Sequence, residues 1–157
     1  MGSAPVSLSG LLKPGQVNLG LRAASRDGIL KELIGQAPLS EKAHQILLVN
    51  LRQREDLGST DIGRGVAIPH CRSLMLNSLT LIAGRSKAGV DFSSIDKKPA
   101  RLFFLIIAPP HDPKNLYLIT LGKIAQLAKD LEPSDPLYTV DTPGEFIGRI
   151  AELEKQL

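Results

Sequence analysis

The run from Leu102 to Ala108 consists only of apolar residues, and no other segment limits the possible folds as strongly. A strand with one face in water alternates apolar and polar side chains, but this run offers no polar side chain to a solvated face. The run is far shorter than the roughly 18 residues of a membrane-spanning helix, and so is every other apolar run in the chain. We therefore expect a central strand covered on both faces, and no insertion of the chain into a membrane.

Segments with helical periodicity are candidates for the covering layers, because apolar residues recur in them at intervals of three and four. The predicted helices span 26–36, 41–54, 116–127 and 143–154. Three of them have predicted N-caps, at Ser25, Ser40 and Thr142. A further strand is predicted at 79–85. Helices that alternate with buried strands indicate the α/β class, here a mixed sheet of about five strands flanked by helices on both faces.

Length and composition indicate one domain. The chain has 157 residues, of which 43% are hydrophobic, and this is enough for a substantial core. We assign residues 8–157 to a single domain and expect residues 1–7 to be a loose tail or a remnant of expression. The N-terminus lacks the basic and long apolar regions of a signal peptide, which favours a soluble, cytoplasmic protein.

Charge, aromatic content and cysteine content exclude several classes of function. A net charge of +3 and an aromatic content of 4% give little support for a nucleic-acid partner. The single cysteine, Cys71, cannot form an internal disulfide. Adjacent side chains of an extended chain point to opposite faces, so Cys71 is expected to be a packing residue and not a nucleophile beside His70. The spacing of His70, Cys71, His111 and Asp112 matches no known pair of zinc ligands, and we expect no metal site.

The glycine-rich segment 58–65 leads into the short extended run 66–69. It approaches the spacing of a nucleotide-binding P-loop, but Gly65 stands where that loop needs a serine or threonine, and a helix does not follow. Two readings remain open: a tight turn with positive φ at its glycines, or a cradle of backbone N–H groups for a small anion. Pro69 cannot donate to a strand ladder, so His70 is expected where a strand ends or bulges.

The run from Arg54 to His70 reads REDLGSTDIGRGVAIPH. It resembles the signature of the fructose/mannitol-type enzyme IIA domains of the bacterial phosphoenolpyruvate-dependent phosphotransferase system. The similarity includes the arginine, the Gly-Ser-Thr turn, the Ile-Gly-x-Gly step and the closing Ala-Ile-Pro-His, in order and without gaps. Because the chain begins directly with this domain and carries no permease or IIB segment, it resembles most the stand-alone nitrogen-regulatory branch.

The resemblance implies a phosphorelay. The family's phosphoacceptor corresponds to His70, which would receive a phosphoryl group from the histidine phosphocarrier protein and, in sugar-specific members, pass it to a IIB protein. Arg54 corresponds to the arginine that stabilises the transferring group, Ser59 and Thr60 to loop residues around the phosphate oxygens, and no cofactor is implied. An attacking imidazole must be neutral, and the ordinary histidine pKa of about 6.5 makes that form available.

Two residues depart from the family pattern. Many members carry a second histidine at the start of the helix after the proline-rich segment, and Tyr117 corresponds to that position. A tyrosine can donate a hydrogen bond but brings no positive charge, and His111 is the candidate that would compensate from the loop. Asp61 stands where the family usually has glycine, and we expect it to face solvent or to pair with Arg64.

These departures leave three functional hypotheses open. The first is a phosphoryl carrier with a nitrogen or metabolic regulatory role. The second is a regulatory protein-binding module that keeps the fold and has lost efficient transfer to His70. The third is the IIA component of a fructose- or mannitol-type permease with a separate IIB protein. Each needs a protein partner, either the phosphocarrier, a IIB protein or a regulated target, and we expect an apolar rim formed by Ile62, Val66 and Leu116.

Overall fold

The computed structural model describes residues 7–94 and 96–157, so residues 1–6 of the expected tail lie outside the described part. The α-helices are α1 (Leu8–Leu11), α2 (Arg26–Ile34), α3 (Glu41–Asp56), α4 (Leu116–Lys129) and α5 (Pro143–Glu154). The strands are β1 (Val17–Asn18), β2 (Asp61–Gly63), β3 (Val66–Ala67), β4 (His70–Arg72), β5 (Thr80–Val90) and β6 (Ala100–Ala108). Two short 3₁₀ turns occupy Pro14–Gln16 and Pro136–Tyr138.

The described strands form one mixed sheet of six strands, which confirms the predicted class and adds one strand to the expected number. Its order is β1-β5-β6-β3-β2, and β4 also pairs with β6. β6 is antiparallel to β5 and parallel to β3 and β4, while β1 is parallel to β5 and β2 is antiparallel to β3. β6 therefore has neighbours along both edges.

Both faces of β6 are covered, as the apolar run predicts. Phe104 and Ile106 belong to a core cluster that includes side chains of α1, α4 and α5. Phe103 and Leu105 point to the opposite face, into a cluster with side chains of α2 and α3. The alternation of side chains along a strand thus divides this run between two hydrophobic cores.

The predicted helices and their caps are confirmed with small shifts at the ends. The hydroxyls of Ser25, Ser40 and Thr142 accept the backbone N–H groups of Gly28, Ala43 and Glu145 at 3.1, 3.2 and 3.1 Å. Each cap satisfies an amide that has no partner within its own helix. The sequence analysis missed α1 and β1, which are too short to produce a periodic pattern.

Pro69 interrupts the strand beside β6, and this interruption positions His70. Val66 and Ala67 pair with Leu102 and Phe103, and pairing resumes at His70, opposite Ile106. Pro69 has no N–H to donate, but its carbonyl still accepts the amide of Ile106 at 2.9 Å. His70 consequently opens β4, for which β6 is the only strand neighbour among the described residues, so this edge is free of further strands.

None of the described helices combines the length and apolar character that crossing a bilayer requires.

Gly84 of β5 offers a test of the packing between the sheet and α2. A Cβ atom at this position would lie 2.6 Å from Leu21 Cδ1 and 2.7 Å from Leu33 Cδ2. We expect Gly84→Ala to lower the free energy of unfolding by about 1 to 3 kcal/mol, because the two leucines must shift within a filled core. Urea denaturation measures this change.

Gly148→Ala is the matched control, because Gly148 is exposed within α5 and a Cβ there meets nothing within 4 Å. Alanine is the better helix former, so this variant is expected to gain about 0.5 to 1 kcal/mol. Equal stability of the two variants would contradict the tight contact at Gly84.

Candidate functional site

His70 lies at the open edge of the sheet, half-buried between the end of α3 and the start of α4. Its Nδ1 is 2.7 Å from the carbonyl oxygen of Ile68. A carbonyl can only accept, so Nδ1 carries the proton and donates it to this bond. The lone pair of the neutral imidazole is therefore on Nε2.

Burial and a neighbouring guanidinium lower the pKa of His70 below its ordinary value. Burial is the largest cause, since it penalises the charged ring, and the positive charge of Arg54 acts in the same direction. The bond to the Ile68 carbonyl and the negative charge of Glu55 oppose the shift without reversing it. The ring is thus neutral at neutral pH, which is the form that has a free lone pair.

Arg54 is in the last turn of α3, and its Nη1 donates to the carbonyl oxygen of Gly58 at 2.9 Å. Its charge acts on two rings, since it lowers the pKa of both His70 and Tyr117. For Tyr117 this effect is outweighed by burial, which raises the pKa of the phenol to about 12. The structure therefore brings Arg54, His70 and Tyr117 into one electrostatic environment.

The hydroxyls of Ser59 and Thr60 are already bound to the protein. Thr60 Oγ1 donates to the buried carboxylate of Glu55, which also accepts the Thr60 amide at 3.3 Å. Ser59 Oγ donates to the carbonyl of Phe92 and accepts the amide of Asp61 at 3.0 Å. These bonds tie the glycine-rich segment to α3 and to the connection after β5, so both hydroxyls shape the loop in this state.

Part of this segment has left-handed backbone conformation. φ is 86° at Gly63 and 79° at Gly65, as the tight-turn reading requires. Arg64 between them also has a positive φ, of 58°. The turn is therefore built on three consecutive left-handed residues.

Tyr117 lies beside His70, at the position the resemblance implies. Its ring centroid is 5.8 Å from that of His70, with an edge-on angle of 61°. Asp112 fixes the start of α4, since its carboxylate accepts the amides of Leu116 and Tyr117 at 2.9 and 3.0 Å. By fixing the backbone at the start of α4, Asp112 also fixes the position of the Tyr117 ring beside His70.

Arg72 is a site neighbour that the sequence analysis missed. Its guanidinium carbon is 4.7 Å from the centroid of the Tyr117 ring, within cation–π range. It also donates to the Pro109 carbonyl at 3.0 Å and lies 3.8 Å from the Asp112 carboxylate. The signal was available, because residues two apart on a strand share a face, and Arg72 follows His70 by two on β4.

Cys71 points to the opposite face from His70, in agreement with the sequence analysis. It is packed in the α2 and α3 core cluster, and burial raises the pKa of the thiol to about 12. Within residues 7–94 and 96–157, histidine, cysteine and acidic side chains form no group of three able to hold a metal ion.

The expectation for Asp61 was wrong. Its carboxylate is buried, accepts the amide of Gly63 at 2.7 Å, and has its second oxygen without a partner. Burial raises its pKa. Arg64 instead donates to the Leu131 carbonyl at 2.9 Å. Since Asp61 Oδ1 holds the turn, its side chain is a loop element and not a surface charge.

His111 and the expected rim also differ from the sequence-based picture. His111 is exposed, and in the described part of the chain no hydrogen bond or ring contact joins it to His70. Val66 was wrongly placed in the rim, because it pairs with β6 and is fully buried, while Leu116 is half-buried. The side chain of Ile62 is 43% exposed. Three leucines are more exposed than this: Leu57 (85%), Leu74 (81%) and Leu118 (60%).

Known proteins are similar to this chain in sequence. The chain is 33% identical over 124 residues to the nitrogen regulatory protein of Bradyrhizobium diazoefficiens, covering 78% of this chain and 80% of that protein. It is 27% identical to the fructose-specific EIIABC component of Bacillus subtilis over 96% of this chain, but it spans only 24% of that longer protein.

Solved structures share the fold. The nitrogen regulatory protein IIA-Ntr of Neisseria meningitidis matches with a TM-score of 0.81 and 27% identity, covering 91% of this chain and 98% of that chain. The Escherichia coli mannitol enzyme IIA, solved in complex with phosphorylated mannitol enzyme IIB, matches with a TM-score of 0.69 and 18% identity, covering 93% and 98%. The second match shows a common fold.

The sequence model of the family described as phosphoenolpyruvate-dependent sugar phosphotransferase system, EIIA 2, matches residues 10–152. This range runs from α1 to α5 and includes the whole sheet and the His70 site. Members of this family act as phosphotransferase relay components. The chain therefore belongs to the EIIA 2 family of the phosphotransferase system.

Proposed function

We propose that this chain carries a phosphoryl group on Nε2 of His70, which it accepts from the histidine phosphocarrier protein. The observation that carries the proposal is the hydrogen bond from His70 Nδ1 to the Ile68 carbonyl, because it leaves the lone pair on Nε2. In the transfer, Nε2 donates this pair to phosphorus while the bond from phosphorus to the donor nitrogen breaks. Such a reaction depends mainly on positioning and on neutralisation of charge.

Arg54 supplies the charge in this proposal. A guanidinium presents planar, paired donors to phosphoryl oxygens, and Arg54 already acts electrostatically on His70. Arg72 gives a second positive charge near Tyr117 and thereby replaces part of what a second histidine would contribute. Ser59 and Thr60 keep the loop in place, and their hydroxyls are engaged with Phe92 and Glu55 before any phosphoryl group arrives.

Exposed leucines provide the apolar contact that the phosphocarrier would need. Leu57 follows Arg54 at the end of α3, Leu74 follows β4, and Leu118 is adjacent to Tyr117 on α4. In this proposal the three leucines replace Val66 in the rim expected from the sequence. Apolar side chains around a polar centre are typical of protein interfaces.

We assign the carrier to a regulatory role because the nitrogen regulatory proteins of Bradyrhizobium diazoefficiens and Pseudomonas aeruginosa match it at 33% and 30% identity over 80% and 90% of their own length. Phosphorylation adds up to about two negative charges at the His70 surface, which changes the affinity of a charged target protein. A sugar-specific role would instead require discharge to a IIB protein, as the pairing of mannitol IIA with mannitol IIB illustrates for that protein. The two roles differ in whether a IIB protein and its sugar remove the phosphoryl group.

A phosphotransfer assay tests the carrier function. The chain is incubated with labelled phosphoenolpyruvate, enzyme I and the phosphocarrier, and the label is followed after acid and after alkali. We expect incorporation that requires both other proteins and that is lost in acid and stable in alkali, as for phosphohistidine. Absence of label above the control without phosphocarrier would refute the proposal and leave the non-catalytic binding module, which Tyr117 first suggested.

The lowered pKa of His70 predicts a pH profile for the transfer. Protonation removes the lone pair from Nε2, so the reactive fraction of the chain falls as the pH drops through the pKa of His70. Because that pKa lies below the ordinary value of about 6.5, the midpoint of the fall in rate should lie below about pH 6.5.

The measurement uses pre-phosphorylated phosphocarrier, which removes the pH dependence of enzyme I, together with an NMR titration of the His70 ring. A His70 midpoint at or above about 6.5, the ordinary histidine value, would contradict the shift.

A further inference from the structure

A second concave site lies at the other end of β6 from His70. It is a cavity of about 350 Å³ between the glycine-rich turn, the segment that enters β6 and the segment 131–138. Its lining includes Arg101, whereas His70 pairs with Ile106, five residues further along β6. At about 3.4 Å per residue the two positions are about 17 Å apart, so this cavity is separate from the His70 site.

The cavity is lined by three cationic side chains from two segments of the chain, Arg64, Lys98 and Arg101. In the described part of the chain, no carboxylate lies within 4.0 Å of their charged nitrogens. The nearby Asp96 carboxylate is used by the backbone, since it accepts the amides of Arg64 and Lys98 at 2.8 and 3.0 Å. The fold thus gathers three positive charges with no direct ion pair to any of them in the described part of the chain, while the Asp96 carboxylate acts electrostatically on Lys98.

Arg101 is fixed at the edge of the cavity. Its Nε is fully buried, so the outer nitrogens of the guanidinium are the donors that can face a ligand in the cavity. The guanidinium carbon is 5.0 Å from the centroid of the Tyr138 ring, which holds the side chain at the cavity.

Apart from Gly65, the rest of the lining is apolar. It consists of Pro99, Pro133, Leu131 and the ring of Tyr138. The hydroxyl of Tyr138 donates to the carbonyl of Arg64 at 3.3 Å and so joins the segment 131–138 to the turn. The cavity volume is within the range of small-molecule sites, which combine apolar walls with a few polar anchors.

We propose that this cavity, which we call the cationic cavity, binds a small organic phosphate. The phosphate group would lie among Arg64, Lys98 and Arg101, since all three cations line the cavity and charged donors bind the oxygens of a dianion. The carbon body would lie against the prolines, Leu131 and the ring of Tyr138. The proposal is independent of the transfer to His70.

Calorimetric titration with four probes tests the chemistry of the ligand. The probes are phenyl phosphate, adenosine 5′-monophosphate, adenosine and inorganic phosphate. We expect at least one of the two organic phosphates to bind with one-to-one stoichiometry and at least about tenfold more tightly than adenosine or inorganic phosphate. Binding of adenosine as tight as that of its monophosphate, or of inorganic phosphate as tight as that of both organic phosphates, would overturn the proposal.

Variants and NMR locate the binding. Lys98→Gln and Arg101→Gln should each lower the affinity for the tighter-binding organic phosphate by about tenfold or more, since each removes a charged donor. Lys42→Gln is the control, because Lys42 is an exposed lysine in the first turn of α3. Amide shifts in the native chain should centre on residues 64, 98 and 101. Amide shifts centred on residues 70–72, or equal affinities in all three variants, would overturn the assignment. If Arg101→Gln is unstable, the amide shifts of the native chain still test the location.

Discussion

Replacing His70 by glutamine will abolish acid-labile phosphorylation of this chain, with a loss of more than about 1000-fold in initial rate. Glutamine is similar in size and can still donate to the Ile68 carbonyl, so the change removes the Nε2 lone pair with little disturbance of β4. Because the half-buried ring is not part of either core cluster, the variant should keep its fold. The label incorporated from phosphorylated phosphocarrier, measured before and after acid treatment, gives the result directly.

His111→Gln is the matched control for this variant. His111 is exposed on the loop before α4 and has no ring or hydrogen-bond contact with His70 in the described part of the chain. The His111→Gln variant should incorporate label at the native rate. Retention of acid-labile phosphate in His70→Gln, or its loss in His111→Gln alone, would move the phosphoacceptor away from His70.

Replacing Arg54 by glutamine will slow the transfer about 100-fold, which is the second largest effect that we expect. A guanidinium about 4 Å from a phosphoryl charge contributes on the order of 4 kcal/mol at an effective dielectric of about 20, before the cost of desolvation. Glutamine removes this charge while its amide can still donate to the Gly58 carbonyl. The transfer rate of Arg54→Lys should lie between those of the native chain and of Arg54→Gln, since lysine keeps the charge and loses the paired donors.

Arg52→Gln controls for the loss of a positive charge from α3. Arg52 pairs with Asp27 in an exposed ion pair, at 2.5 Å between Nε and Oδ1. Exposed pairs contribute little, so this variant should retain the native transfer rate. Single-turnover kinetics with phosphorylated phosphocarrier measure all three variants. A rate for Arg54→Gln within about threefold of that for Arg52→Gln would show that Arg54 does not stabilise the transferring group.

The sequence was most informative where local rules determine the structure. The apolar run in β6, the helical periodicity and the three caps depend on neighbouring residues, and each is confirmed in the structure. The break at Pro69 follows equally from one missing N–H. The prediction that His70 lies where a strand ends or bulges follows from this break, and in the structure His70 opens a new strand after it.

Besides the short elements α1 and β1, the sequence analysis missed features that depend on distant segments of the chain. Asp61 was expected at the surface, but its burial follows from the way the turn folds against the connection after β5. Val66 was assigned to the rim, and only its pairing with β6 shows that it belongs to the core. Asp112 and Arg72 meet beside Tyr117 although 40 residues separate them in the sequence, and periodicity carries no information on such a contact.

The enclosure of β6 has a consequence for the dynamics of the molecule. Strands lie along both of its edges and helices over both of its faces, so its amide hydrogens reach water only when the whole domain opens. Hydrogen–deuterium exchange in this strand therefore reports the global opening equilibrium, while exchange in the turn before β3 reports local fluctuations. His70 lies next to both regions, because the strand that it opens pairs directly with β6 and follows the turn before β3 in the chain.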